Sequence, residues 1–238
     1  MTEPLRQDVS APPSPEQDSV AFEDPAYRAA VVDLLGAITY GEISAFERLA
    51  DDAKLAVHLP DKLALAKMAT VQFGHVEPLL ERISALGADP IEAMAPFVKP
   101  FDVFHAATAP SDWLEGLVKA YVGDGIAKDF YREMSVFVDD DTREVMARAL
   151  DDAGESDFVV GVVRDTLKTD RTASGRLALW GRRLLGEALS QAQAVAVERD
   201  AMSALLVGGG VDLAEVGQMF TRLTDNHSKR MTRLGLSA

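Results

Sequence analysis

Apolar residues recur every three or four positions along almost the whole chain, and this spacing is the feature that most limits the possible folds. It gives each predicted helix one apolar stripe, whereas strand-like alternation of apolar and polar residues is absent. Helix starts such as Asp24 followed by Pro25, and helix stops such as Gly87, divide the pattern into segments. The chain is therefore predicted to be all-α.

The predicted helices have connections of two different lengths. Long helices are predicted at about 25–53, 61–86, 112–137, 141–168, 174–207 and 212–235, with a shorter helical stretch between Pro90 and Thr108. Short turns join the first helix to the second and the third to the fourth, whereas a long connection separates the second from the third. Two antiparallel hairpins joined by one long crossover are typical of a ferritin-like four-helix bundle. The last two helices are expected to pack outside this bundle.

The first 23 residues differ from the rest of the chain. Residues 1–24 carry six acidic residues and one basic residue, and the segment contains four prolines without periodic apolar spacing. This composition predicts a disordered, acidic, Pro-rich leader over 1–23. The remaining residues, 24–238, have a suitable length for a single ferritin-like helical domain.

Composition excludes several classes of function. The net charge of -14 argues against a general nucleic-acid binder, because phosphate contacts usually need a basic face. The chain has no cysteine, which excludes disulfides, thiolate metal sites and a cysteine nucleophile. No apolar run approaches the roughly 20 residues that cross a bilayer, and the N-terminus lacks a signal-peptide pattern. A cytoplasmic location without a membrane partner is expected.

Polar residues interrupt the apolar stripe of each of the four predicted bundle helices. A buried carboxylate must be paired, protonated or bound to a metal, because burying it alone is costly. Di-iron and di-manganese bundles place one Glu on each of two helices and Glu-x-x-His on each of the other two. A comparable layer, with iron or manganese as one or two ions, is predicted from Glu42, Gln72, His75, Asp124, Asp152 and Glu155.

Four segments carry a family resemblance: AITYGEISAFERLADDA, ATVQFGHVEPLLERI, WLEGLVKAYVGDGIAKDFYRE and GRLALWGRRLLGEALSQAQ. They resemble actinobacterial ferritin-like proteins related to the tRNA isopentenyl-adenosine hydroxylases. The resemblance covers the chain from about residue 21 to its C-terminus. It implies a ferritin-fold, non-haem di-metal oxygenase that activates dioxygen and hydroxylates a C–H bond of a tRNA or a small-molecule substrate.

Several positions depart from the pattern of that family, which has Glu-Phe-Gly-His in the second helix and Glu-Thr-Gly-His in the fourth. Here Gln72 replaces the first Glu, whereas Asp152 and Glu155 replace the Glu and the His of the fourth helix. A neutral Gln cannot bridge two cations, and a carboxylate in place of an imidazole favours harder metals. Two interpretations stay open. One is an oxygenase with a partly degraded metal site, and the other is a metal-free, non-catalytic interaction or structural module whose polar residues satisfy one another.

Further predictions concern the surface. Residues 164–183 carry six basic and two acidic residues, and the last helix adds four basic residues. Together these faces could bind tRNA or another polyanion, or they could pair with acidic neighbours. A second copy of the chain, as a homodimer, is a further candidate partner. His105 is expected to face solvent or to cap a helix, and His227 is expected on a polar face.

Overall fold

The computed structural model describes residues 24–149, 155–199 and 213–238. Within these ranges the chain forms ten α-helices and three short 3-10 helices, without a strand. The α-helices are α1 (Pro25–Asp52), α2 (Leu59–Gly74), α3 (Val76–Ala85), α4 (Pro90–Met94), α5 (Val98–Ala107), α6 (Trp113–Met134), α7 (Asp140–Arg148), α8 (Glu155–Thr169), α9 (Thr172–Glu198) and α10 (Leu213–Leu234). The predicted leader over 1–23 and Asp152 lie outside the described residues.

Aspartate side chains cap the starts of four helices. The Asp24 carboxylate accepts a hydrogen bond from the Ala26 amide at 2.8 Å, and Pro25 occupies the first helical position of α1. The corresponding caps of α4, α6 and α7 are made by Asp89, Asp112 and Asp139. Each cap satisfies an amide that has no carbonyl partner within its own helix. These helix boundaries therefore follow from the local sequence.

Four helical segments build the bundle: α1, the α2–α3 pair, α6, and the α7–α8 pair. Helix α1 packs on α2, α3 and α6, whereas α6 also packs on α8. The connection between α3 and α6 contains α4 and α5, and it is the long crossover that the sequence predicts. Helices α9 and α10 pack on α6 from outside the four segments. The predicted all-α, four-helix arrangement with additional C-terminal helices is confirmed.

Two of the predicted helices are interrupted. The helix predicted over 61–86 breaks at His75, whose backbone N–H donates to the Gln72 carbonyl at 3.1 Å. This bond spans three residues instead of four, so it tightens the last turn of α2 before α3 begins. The helix predicted over 141–168 is described as α7 and α8, and residues 150–154 between them lie outside the described part of the chain.

The apolar core has two parts, which meet along α1. One part surrounds the N-terminal half of α1, where Leu34, Leu35 and Ile38 are fully buried. The other surrounds its C-terminal end and includes fully buried leucines of α2, α6 and α9. Each such side chain stabilises the fold by about 1.5–3 kcal/mol. Glu42 lies on α1 between the two parts, so the polar layer divides the core.

Helix α1 is also the one described helix whose length and composition would suit a membrane span. The candidate span, Pro25–Leu55, includes the 3-10 turn that follows α1, and 56% of its most apolar window is buried inside the protein. Its apolar character is explained by its position at the centre of the bundle, where it contacts several other helices.

Candidate functional site

Glu42 of α1 and His75, between α2 and α3, form the first pair of the polar layer. The Glu42 Oε2 and His75 Nδ1 atoms share a hydrogen bond of 3.0 Å, and both side chains are largely buried. Burial raises the pKa of the Glu42 carboxyl, and the hydrogen bond with His75 opposes that rise. The fold thus brings together two residues that the sequence predicts as metal ligands.

Asp124 of α6 organises the second group of the layer. Its Oδ1 accepts a hydrogen bond from Gln72 Nε2 at 3.1 Å, and its Oδ2 lies 3.2 Å from Lys128 Nζ. Turning the Gln72 amide over would place two oxygens against each other, so the nitrogen must face Asp124. Gln72 Oε1 is buried and has no hydrogen-bond partner within the described part of the chain. An ammonium group therefore lies beside a carboxylate that was predicted to bind metal.

Lys128 is a member of this layer that was not predicted from the sequence. It is 6% exposed, and lysine is almost never fully buried unless it is paired. It follows Asp124 by four residues, which is the spacing at which opposite charges meet on one helix face. The signal was therefore present, but the same spacing occurs on many exposed helix faces.

Tyr131 of α6 closes the layer beside α1. Its hydroxyl lies only 2.9 Å from the position that a Cβ atom on Gly41 would occupy, so α1 approaches this ring closely. Burial, together with the nearby Glu42 and Asp124 carboxylates, raises the pKa of Tyr131 well above its usual value. The phenol is therefore neutral near pH 7.

The described donors do not fit a dinuclear metal centre. Within the described ranges, no group of three or more His, Asp or Glu side chains is arranged to hold an ion. Gln72 presents a nitrogen to Asp124, and the Lys128 ammonium would repel a cation placed there. Glu155 is the first residue of α8, but its side chain is not among the parts that the structure describes, and Asp152 lies outside the described residues. The six-residue metal layer stays a prediction.

Two pockets adjoin the polar layer. The polar pocket, of about 110 Å³, lies between α1, α2, α5 and α6, and Glu42, Gln72 and Asp124 line it. The apolar pocket, of about 270 Å³, lies mainly between α5, α6, α9 and α10. Its lining is almost entirely hydrocarbon and includes Phe101, Phe104, Phe130, Met134, Met219 and Phe220.

Lys119 of α6 and Asp52 of α1 also line the polar pocket. Lys119 Nζ donates a hydrogen bond to the Thr108 carbonyl at 2.7 Å and lies 5.6 Å from the centre of the Phe104 ring. Burial lowers the pKa of Lys119 to about 8, and the Asp52 carboxylate limits the decrease. Burial also shifts the pKa of Asp52, in this case upwards, and the positive charge of Lys119 opposes the increase. The same desolvation therefore disfavours the charged form of both side chains.

His227 is buried, so its predicted position on a polar face is wrong, and His105 is half-buried instead of facing solvent. His105 Nδ1 and both ring nitrogens of His227 have no hydrogen-bond partner among the residues described. Burial lowers the pKa of His105 to about 3 and that of His227 to about 4, and nearby cations add to both shifts. Both imidazoles are neutral near pH 7. They were missed because a single histidine gives the same sequence pattern on a buried face as on a polar one.

Many basic residues of the C-terminal helices are paired with acidic ones. Arg176 of α9 lies within ion-pair distance of Asp112 and Glu115. Three pairs join α10 to other helices: Arg222–Glu133, Arg230–Asp129 and Arg233–Asp157. This arrangement favours the prediction of basic faces that pair with acidic neighbours, while a tRNA partner stays a prediction.

A bundle of four helical segments with one long crossover, and with carboxylates and a histidine facing its centre, defines a ferritin-like helical protein. A family model described as a ferritin-like domain of actinomycetes matches residues 25–209. The chain therefore belongs to this family. No curated protein matches the chain. The family match confirms the ferritin-like part of the predicted resemblance, and the relationship to tRNA hydroxylases stays a prediction.

Proposed function

We propose that this ferritin-like protein is a non-catalytic module that binds a small apolar molecule. The observation that carries the proposal is the apolar pocket, whose volume is about 270 Å³ and whose lining is almost free of polar atoms. A cavity of about 150 Å³ with a similar lining binds benzene. By proportion, the apolar pocket suits a ligand of roughly ten carbon atoms.

The contacts of the polar layer support a structural role for its residues. Glu42 is hydrogen-bonded to His75, and Asp124 contacts both Gln72 and Lys128. These contacts satisfy the two carboxylates without an added cation, which agrees with a metal-free interaction module.

Naphthalene, an apolar probe of ten carbons, tests the proposal by titration calorimetry on the full chain. Saturable binding is expected in the wild type. Ala192→Phe should abolish it, because Ala192 lines the apolar pocket. The matched control is Ala194→Phe on the same helix, at an exposed position that does not line the pocket. Wild-type protein that does not bind, or an Ala192→Phe variant that binds equally well, would contradict the proposal.

The second candidate is the tRNA hydroxylase-like oxygenase that the resemblance implies. It is favoured by the position of Glu42, Gln72 and Asp124 around one pocket, with the apolar pocket next to it. The Lys128 ammonium beside Asp124 argues against it. Under this candidate, the metal is iron or manganese and the substrate is a tRNA or a small molecule. The cytoplasmic location and the homodimer stay predictions under both candidates.

Elemental analysis of protein purified without chelator separates the two candidates. Stoichiometric iron or manganese that is lost in both Glu42→Ala and His75→Ala would support the oxygenase. Metal-free protein that binds naphthalene would support the binding module.

A further inference from the structure

The apolar and polar pockets meet on one face of α6. Gly123 and Ala127, four residues apart and therefore on the same helix face, line both pockets. A Cβ atom added to Gly123 would meet no neighbouring atom within 4 Å. The larger residues that line both pockets are Phe101, Phe104 and Tyr131. Open space at Gly123, between these rings, gives a ligand a path from one pocket to the other.

Two residues that line the polar pocket each carry a buried polar atom without a partner among the described residues. Gln72 Oε1 is a hydrogen-bond acceptor, and the side chain that carries it is 4% exposed. His105 Nδ1 belongs to a neutral imidazole, so it either donates or accepts one hydrogen bond. A buried polar atom without a partner is costly, and such atoms are rare in folded proteins. Both atoms belong to residues that line the polar pocket, so a bound molecule there could supply the missing hydrogen bonds.

We propose that the ligand is an aliphatic alcohol whose chain fills the apolar pocket and whose hydroxyl reaches over Gly123 to Gln72 Oε1 and His105 Nδ1. This inference rests on the proposed function, because the chain must occupy the apolar pocket. A hydroxyl suits both atoms, since it donates one hydrogen bond to Gln72 Oε1 and can accept a second from His105 Nδ1.

The polar pocket is lined by charged side chains of both signs, so a charged head group of either sign would meet like charges there. Three acidic side chains line it, namely Glu42, Asp52 and Asp124, and a carboxylate head group would be repelled by them. Two basic side chains, Arg48 and Lys119, line the same pocket and would repel an ammonium head group. A hydroxyl avoids both repulsions, and it supplies the donor that Gln72 Oε1 lacks.

The test compares 1-octanol with methyl octyl ether, whose oxygen accepts a hydrogen bond but cannot donate one. Affinities are measured by displacement of naphthalene from the full chain. Wild-type protein should bind octanol about tenfold more tightly than the ether, because the ether leaves the buried Gln72 acceptor unpaired. Gln72→Leu should remove this preference by weakening octanol alone. The matched control is Gln191→Leu, which lies in the apolar pocket and should keep the preference.

The outcomes distinguish this inference from the function on which it rests. Equal affinities for octanol and the ether, with naphthalene still bound, would overturn the hydroxyl site and leave the apolar-ligand function intact. Failure of all three probes to bind would overturn both. If Gln72→Leu does not fold, as judged by circular dichroism, His105→Phe replaces it and should weaken octanol and the ether alike, because the oxygen of each probe accepts a hydrogen bond from His105 Nδ1. A preference that survives in folded Gln72→Leu, or unchanged affinities for both probes in His105→Phe, would refute the assignment.

Discussion

Buried His227 should make the protein sensitive to acid. Its pKa of about 4 in the fold compares with about 6.5 for an exposed histidine. Below pH 6.5 the unfolded chain therefore takes up a proton that the folded chain excludes. The free energy of unfolding therefore has its full value above pH 6.5 and decreases as the pH falls towards 4. From pH 7.0 to 4.5, the two pKa values give a loss of about 2 kcal/mol in the free energy of unfolding.

The variant His227→Leu isolates this contribution. It removes the titrating group and two ring nitrogens that lack partners in the described chain, so its stability at pH 7 should equal or exceed that of the wild type. Its loss of stability between pH 7.0 and 4.5 should be smaller by about 2 kcal/mol. His105, which is also neutral near pH 7, remains in both proteins, so its contribution cancels in the comparison.

Urea unfolding at pH 7.0, 5.5 and 4.5 measures the difference through the extrapolated free energies. The control is His58→Leu, because His58 is exposed before α2 and makes no side-chain cap. This control should retain the wild-type dependence on pH. An unchanged acid loss in His227→Leu would refute the conclusion that burial keeps this imidazole neutral.

Four further predictions concern the pH dependence and the packing of α1 and α6. Because Lys119 has a pKa of about 8 instead of about 10.5, the free energy of unfolding should increase by about 2 kcal/mol from pH 7.5 to 9.5. Urea unfolding of Lys119→Met should not show this increase. Because the pKa of Glu42 is raised, its contribution to stability decreases as the pH increases above about 4.5. The melting temperature of Glu42→Gln should therefore decrease less with pH than that of the wild type. Gly36→Ala should lower the free energy of unfolding by about 3 kcal/mol, since its Cβ would lie 2.2 Å from the Ala93 carbonyl oxygen. Gly123→Ala, with no neighbour within 4 Å, should instead stabilise by about 0.5–1 kcal/mol in the same unfolding assay.

Local signals in the sequence predicted the helices well. The Asp24 cap followed by Pro25 sets the start of α1, and Asp112 sets the start of α6. The break at His75 was missed because neither proline nor a positive-φ glycine marks it, and the turn is tightened by a single three-residue hydrogen bond. The length of the connection between the two hairpins was sufficient to predict the crossover.

The candidate site was predicted only in part, because its properties depend on contacts between helices. The inward direction of Glu42 and Gln72 follows from helical periodicity, and both are buried. The contacts of the site residues could not be predicted in the same way. The contact of Lys128 with Asp124 affects the site only because α6 packs inside the bundle. The two pockets have no sequence pattern, because residues from several distant helices form each of them.

The ion pair of Lys128 places a positive charge of the chain itself beside one carboxylate of the polar layer. In a metal layer, bound cations offset the repulsion between buried carboxylates, so stability depends on the supply of metal. Here the cation beside Asp124 is part of the chain, at a distance of 3.2 Å, and it is present whenever the protein folds. An ammonium has three donors but no redox state and no open coordination position. Such a layer holds the helices together, and Gln72 Oε1, which has no partner among the described residues, is the atom to which the proposed hydroxyl ligand donates.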